Sequence, residues 1–174
     1  MTNDAIKNKY RKHVLIVDLE ASGLHDDSYP TEVGWINPIV DGEPTSFLIK
    51  PSERWLKTKW DKEAEKLTGI TRELLINEGH SIHDVAINLK RILDSSEVIL
   101  SDAPEWDRHW MQVLFNTSRL GFIAAPLTEF HSFVKKEFDI NVYLVEENAH
   151  RAGNDVKRMA TSFNVARMLA RKRY

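Results

Sequence analysis

The chain has 174 residues, a net charge of −2, 42% hydrophobic and 29% charged residues, and no cysteine. A chain of this length can bury one core of ordinary size. The missing cysteine excludes disulfides and thiolate metal sites, so any metal must sit on oxygen or histidine nitrogen. The charge balance argues against coating nucleic acid through bulk electrostatics, and no apolar run approaches the length of a membrane span. Residues 1–12 are polar and lysine-rich, without the apolar stretch of a secretory signal. They read as a polar extension ahead of a single domain over 13–174, and the expected compartment is the cytoplasm.

The segment His13 to Glu20 carries an apolar run on both parities, Val14 to Val17, as in a central strand buried on both faces. The segment closes with Asp18-Leu19-Glu20. Side chains alternate along a strand, so the two carboxylates point to one side, about 7 Å apart. Buried and unpaired, they would cost several kcal/mol or take up a proton. A divalent cation such as Mg2+ or Mn2+ between them removes that cost. The alternative is a strand that has ended, with both acids solvated in the following loop.

Ala21-Ser22-Gly23-Leu24 and His25 to Pro30 read as turn and loop. Thr31 to Val40 is predicted as a second strand, with Val33, Trp35 and Ile39 as core residues. Asp41-Gly42-Glu43-Pro44 is a hairpin-like turn before a third strand, Thr45 to Ile49, which makes an antiparallel three-stranded meander. Trp55 to Leu67 is predicted as one charged helix, broken by Leu67-Thr68-Gly69-Ile70-Thr71. Ser81 to Leu93 carries the cleanest helical spacing. Glu97 to Ser101 is a short buried strand, and Pro104 opens another helix at a position where proline is tolerated. Thr128 to Phe138 and Asn154 to Arg171 are the last two predicted helices. Strands first and alternating helices later, without internal repeats, give an α/β fold.

Two further clusters carry candidate chemistry. In Ser101-Asp102-Ala103-Pro104-Glu105-Trp106-Asp107 a buried strand hands over to a helix, a common place for functional groups in α/β sheets. Asp107 falls within or just past the first turn, and Trp106 and Trp110 share a face directed to the core. The competing reading makes Asp102 a helix cap and gives Glu105 and Asp107 to the helix dipole. In His150-Arg151-Ala152-Gly153-Asn154-Asp155 the spacing of His150 and Asp155 cannot share one face of a regular helix. They converge only if His150 precedes the helix and Asp155 sits in its first turn, with Asn154 as the cap. A carboxylate there is available to a metal, and the histidine could move a proton. The remaining histidines, His131 among them, read as surface or packing residues. Residues 151–174 hold seven Lys/Arg and one acid, Asp155, a basic tail on which Arg151 and Lys157 are candidate phosphate contacts.

The order and spacing of these motifs resemble the DEDDh exonucleases, the DnaQ-like 3′–5′ exonucleases of the ribonuclease H-like superfamily. The motifs are Asp18-Leu19-Glu20-Ala21-Ser22-Gly23-Leu24, Trp106-Asp107 and His150-Arg151-Ala152-Gly153-Asn154-Asp155, with echoes in Tyr29-Pro30-Thr31-Glu32-Val33-Gly34 and Leu67-Thr68-Gly69-Ile70-Thr71. The resemblance spans roughly residues 13 to 172. It departs where many members carry His-Asn and this chain has Ser101-Asp102, and where Ala21-Ser22 replaces a Thr-Thr pair.

The resemblance implies a ribonuclease H-like fold and hydrolysis of single-stranded DNA or RNA from the 3′ end to nucleoside 5′-monophosphates, using two Mg2+ or Mn2+ ions. Asp18 would bridge both cations, Glu20 and Asp155 would complete one site, and Asp107 would hold the other ion through water. His150 would be the general base. Ala21, Ser22, Gly23 and Leu24 would hold the terminal nucleotide, with Leu24 as a wedge against its base. Two other readings stay open: a non-catalytic nucleic-acid or protein adaptor that keeps the fold, and a proofreading-type accessory subunit of a polymerase.

Overall fold

The computed structural model describes residues 14–121, 126–144 and 150–172; the expected extension and His13 lie outside the described residues. Its strands are β1 (Val14–Ala21), β2 (Pro30–Ile36), β3 (Thr45–Leu48), β4 (Val98–Ser101) and β5 (Leu127–Glu129). They form one sheet of order β3-β2-β1-β4-β5. The first three are antiparallel neighbours, and β4 and β5 add in parallel on the other side of β1. The expected meander followed by parallel strands is therefore present, with β1 at the centre. The helices among the described residues are α1 (Glu53–Leu56), α2 (Lys62–Thr68), α3 (Arg72–Glu78), α4 (Ile82–Asp94), α5 (Pro104–Thr117), α6 (Phe130–Phe138) and α7 (Ala152–Arg171). None is long and apolar enough to cross a membrane.

The alternation along β1 divides the core in two. Leu15, Val17 and Leu19 pack with Val85 and Leu89 of α4 and with Met111, Leu114 and Phe115 of α5. Val14 and Ile16 face the other way, onto Phe130 and Val134 of α6 and Val156, Met159 and Phe163 of α7. Each fully buried side chain of this size stabilises the fold by about 1.5–3 kcal/mol. Asp18 and Glu20 continue the parity of Val14 and Ile16, so they emerge on the α6–α7 face.

One close approach fixes where α7 begins. Gly34 of β2 lies opposite Asp18 in the β1–β2 register. A Cβ at Gly34 would lie 2.6 Å from the carbonyl carbon and oxygen of Ala152, so glycine lets the first turn of α7 rest on the sheet beside Asp18.

Element boundaries differ from the sequence pattern where polar caps intervene. The single helix expected from Trp55 to Leu67 is two helices, because Asp61 accepts from the Glu63 N–H and restarts the chain as α2. Thr71 then caps α3, a helix the pattern missed. The second strand stops at Ile36, since the Asn37 N–H donates to the Asp41 carboxylate and turns Ile39 and Val40 out of the ladder. Ile49 lies outside β3, in an isolated bridge with His80. The expected helix from Thr128 is first a strand, β5, and starts only when Glu129 accepts from the N–H groups of His131 and Ser132. The last helix begins at Ala152 rather than Asn154, with Arg151 in the cap position.

Gly34→Ala should cost about 1–3 kcal/mol or more in urea unfolding, because the clash is with backbone that cannot turn away. Gly42→Ala, whose Cβ would meet nothing within 4 Å, should change stability by no more than about 0.5 kcal/mol. Equal stability of the two variants would refute the close-packing account.

Candidate active site

At the C-terminal end of β1 the sheet opens into a cleft of about 750 Å3 whose lining includes Asp18, Glu20, Leu24, Asp102, Trp106, His131, Tyr143, His150, Asp155 and Arg158. Side chains of this lining, with the buried Asp107 behind it, form two groups of candidate ligands. Glu20, His150 and Asp155 each bring a ligand atom within 4.8 Å of the others, and Asp18, Asp102 and Asp107 do the same. Asp18, Asp107 and Asp155 are buried.

Each carboxylate arrives by a different local device. Asp18 and Glu20 are set by strand parity. Asp107 lies in the first turn of α5, which Pro104 starts. There its Oδ1 accepts the Leu19 N–H at 3.1 Å, and its Oδ2 accepts the Ser101 hydroxyl. Asp155 lies in the first turn of α7 beside the guanidinium of Arg158. His150 precedes that helix, and its N–H donates to the Leu67 carbonyl at 3.2 Å. The helix-angle arithmetic thus describes the observed arrangement, although the cap is Arg151 and not Asn154.

Several expectations need correction. Asp102 does not cap α5: the cap position is Ala103 and has no side-chain cap bond, while the Ser101 hydroxyl accepts the Ala103 N–H. Trp106 is not a core residue. It is 38% exposed, lines the cleft, and stacks at 5.5 Å on the buried Trp110. Arg151 and Lys157 both have carboxylate partners, Glu32 and Glu43. In the 21–24 segment the Ser22 side chain is turned inward, and its oxygen accepts the Tyr29 N–H. Leu24 is 69% exposed. It stands between the cleft and a second cavity of about 590 Å3, which Ala21 and Gly23 also line.

Two residues escaped the sequence reading. Glu32, 3% exposed, faces Glu20 across the β1–β2 ladder. It accepts two bonds of 2.9 Å from Arg151 and one of 3.0 Å from the Ala152 N–H, which ties the start of α7 to β2. The acid stood within the Tyr29–Gly34 echo, but its partners are more than a hundred residues away. His131 lines the cleft with its Nδ1 2.9 Å from Glu129 Oε1.

The donor set fits divalent cations. Among the described residues it consists chiefly of carboxylate oxygens, the ligand type of Mg2+ and Mn2+ sites, with the His150 imidazole beside them. Asp18 is only 8% exposed, and its carboxylate accepts no hydrogen bond from the described residues. An ionised group so placed requires a counter-charge.

No protein-family model matches the sequence, and no curated protein does. Solved structures do match. Escherichia coli exonuclease I in complex with a dT13 oligonucleotide is 17% identical, with a TM-score of 0.66, over 90% of this chain and 40% of that one. Its complex with a dA16 oligonucleotide gives a TM-score of 0.69 at 17% identity, over 90% and 42% of the two chains. The zinc-bound form of its complex with single-stranded DNA gives 0.68 at 19% identity, over 85% and 39%. The chain therefore spans about two fifths of the exonuclease I chain and shares its ribonuclease H-like fold.

Burial first, and then mutual repulsion, raises the proton affinity of the acidic groups. Asp18 is pushed well above the usual carboxylate range by burial and by Asp107 and Glu20. Glu20 is pushed up to about 7 by burial and by Glu32, with Arg151 opposing. Asp107 is pushed up to about 8, chiefly by burial, against the bonds from Ser101 and Leu19. Unfolded, these carboxyls release their protons near pH 4. The folded chain then binds more protons between about pH 4 and 8, and this contribution to stability is lost as pH rises through 7 to 8. In EDTA the melting temperature should fall from pH 6 to pH 8.5, and Mn2+ should narrow the difference. A melting temperature that rises over that interval in EDTA would contradict these shifts.

Proposed function

We propose that the chain is a divalent-cation-dependent 3′–5′ exonuclease acting on single-stranded nucleic acid. The observation that carries this reading is the meeting of two acidic groups at the end of β1, one of which includes His150. The shared fold supports it, since exonuclease I is in complex with oligonucleotides and with single-stranded DNA in the matching structures.

Asp18, Glu20 and Asp155 would hold one cation, and Asp18 with Asp107 the other. When bound, the cations supply positive charge at the phosphoryl oxygens and acidify the attacking water. His150 takes the proton of that water on an imidazole nitrogen as the new oxygen–phosphorus bond forms. The bond from phosphorus to the upstream O3′ breaks, so the terminal nucleotide leaves as a 5′-monophosphate and the strand keeps a new 3′-hydroxyl. Leu24, exposed between two cavities, would separate the last base from its neighbour. Ala21 and Gly23 would line the terminal nucleotide's side, with Ser22 holding the loop from behind.

The test is a time course on 5′-labelled single-stranded DNA and RNA of one sequence, with Mg2+ or Mn2+. A ladder shortening from the 3′ end is expected, and its rate on each polymer ranks the substrates. Asp18→Ala and Asp155→Ala should abolish the ladder without loss of fold. His150→Ala should lower kcat by about 10²–10⁴-fold while Mn2+ still binds. Cleavage by either Asp variant at the wild-type rate would sink the assignment. Strand binding that depends on Mn2+ but yields no ladder would transfer the chain to the adaptor class.

A further inference from the structure

Asp102 is an exposed carboxylate in the turn between β4 and α5, and the helix that follows it does not use it. The Ala103 N–H is already taken by the Ser101 hydroxyl at 3.1 Å. Asp102 lines the cleft instead, and one of its oxygens lies within 4.8 Å of oxygens from both Asp18 and Asp107.

Those two neighbours are unequal. Both oxygens of Asp107 accept protein donors, from the Leu19 N–H and the Ser101 hydroxyl. Part of its lone-pair capacity is therefore spent inside the fold. Asp18 is the opposite case, more than nine-tenths buried and without a hydrogen-bond donor among the described residues. What is accessible of it faces the cleft, where one of its oxygens lies within 4.8 Å of oxygens of Asp102 and Asp107. Three carboxylates gathered around one point, one of them buried and lacking a donor, describe a site built for a cation of high charge density.

We infer that Asp102 is a direct ligand of the cation held between Asp18 and Asp107, and that it supplies the oxygen charge which Asp107 has committed to Leu19 and Ser101. This inference rests on the divalent-cation reading of the cleft. It gives the second cation a third anionic ligand from a surface turn, so affinity at that position is set by a residue that the fold itself does not need. Ligand charge count is a principal determinant of divalent-cation affinity.

Asp102→Asn keeps the size of the side chain and one carbonyl oxygen while removing the charge. Calorimetric titration of the metal-free chain with Mn2+ should resolve two binding events in the wild type. In the variant, one event should weaken by about tenfold or more, while the Glu20–Asp155 event stays unchanged. The Mn2+ concentration for half-maximal strand cleavage should rise by the same factor. Glu105→Gln is the control, since it removes an exposed charge from the same helix start but outside both acidic groups and the cleft lining. It should shift Mn2+ affinity by less than about twofold, as expected for a solvent-screened charge that is not a ligand. Asp102→Asn titrating like the wild type, or like Glu105→Gln, overturns the inference. If the wild type binds Mn2+ but cuts no strand, the exonuclease reading falls and the comparison of variants still decides Asp102. If the wild type binds no Mn2+, both fall.

Discussion

The contact of α7 with β2 is the constraint on which the site depends. The helix touches the sheet with its backbone, at a glycine, and is held there by Glu32 through the Ala152 N–H and the Arg151 guanidinium. Both halves of the contact are needed. Gly34 sets the distance, and Glu32 sets the orientation of the first helical turn. His150 and Asp155 lie on either side of this joint, so their approach to Glu20 follows from it. A bulkier residue at position 34 would lift the helix and open one acidic group while leaving the other intact.

The same region stores unfavourable electrostatics. Asp18, Glu20, Glu32 and Asp107 are buried or nearly so within a short distance of one another, and among the described residues Glu32 alone of the four has an ion-pair partner. A fold that keeps such an arrangement draws on the apolar layers on either side of β1 to hold it. Carboxylates whose environments oppose their ionisation, set in a cleft and facing one another, are the feature on which the proposed site rests. Glu32 is matched to Arg151 and Asp155 to Arg158, whereas Asp18 and Asp107 have no ion-pair partner among the described residues.

Much of this was legible in the sequence because the signals were local. The parity of Val14 to Glu20 placed two acids on one side, Pro104 placed Asp107 in a first turn, and helix geometry forced His150 ahead of Asp155. What escaped depended on distant partners or on competition between caps. Glu32 looks like any polar residue of a strand until Arg151 arrives from the far end of the chain. Asp102 looks like a cap until Ser101 takes its place. The three residues of β5 carry too little pattern to stand out from the helix that follows. The split of the charged helix near Trp55 turned on Asp61 accepting one N–H.

The two apolar layers lie on opposite faces of the sheet, and the acidic cluster straddles their edge. Asp107 belongs to the α5 layer, while His150 and Asp155 belong to the α7 layer, with Asp18 and Glu20 on the strand between. An ion seated among them would tie together segments from the beginning, middle and end of the sequence. In polymer terms it closes two long loops at once, and the entropy of closing a loop grows only slowly with its length. In a chain with no cysteine, cations at this seam would serve as the crosslink that a disulfide provides elsewhere, one that forms and dissolves with the ionic composition of the surroundings.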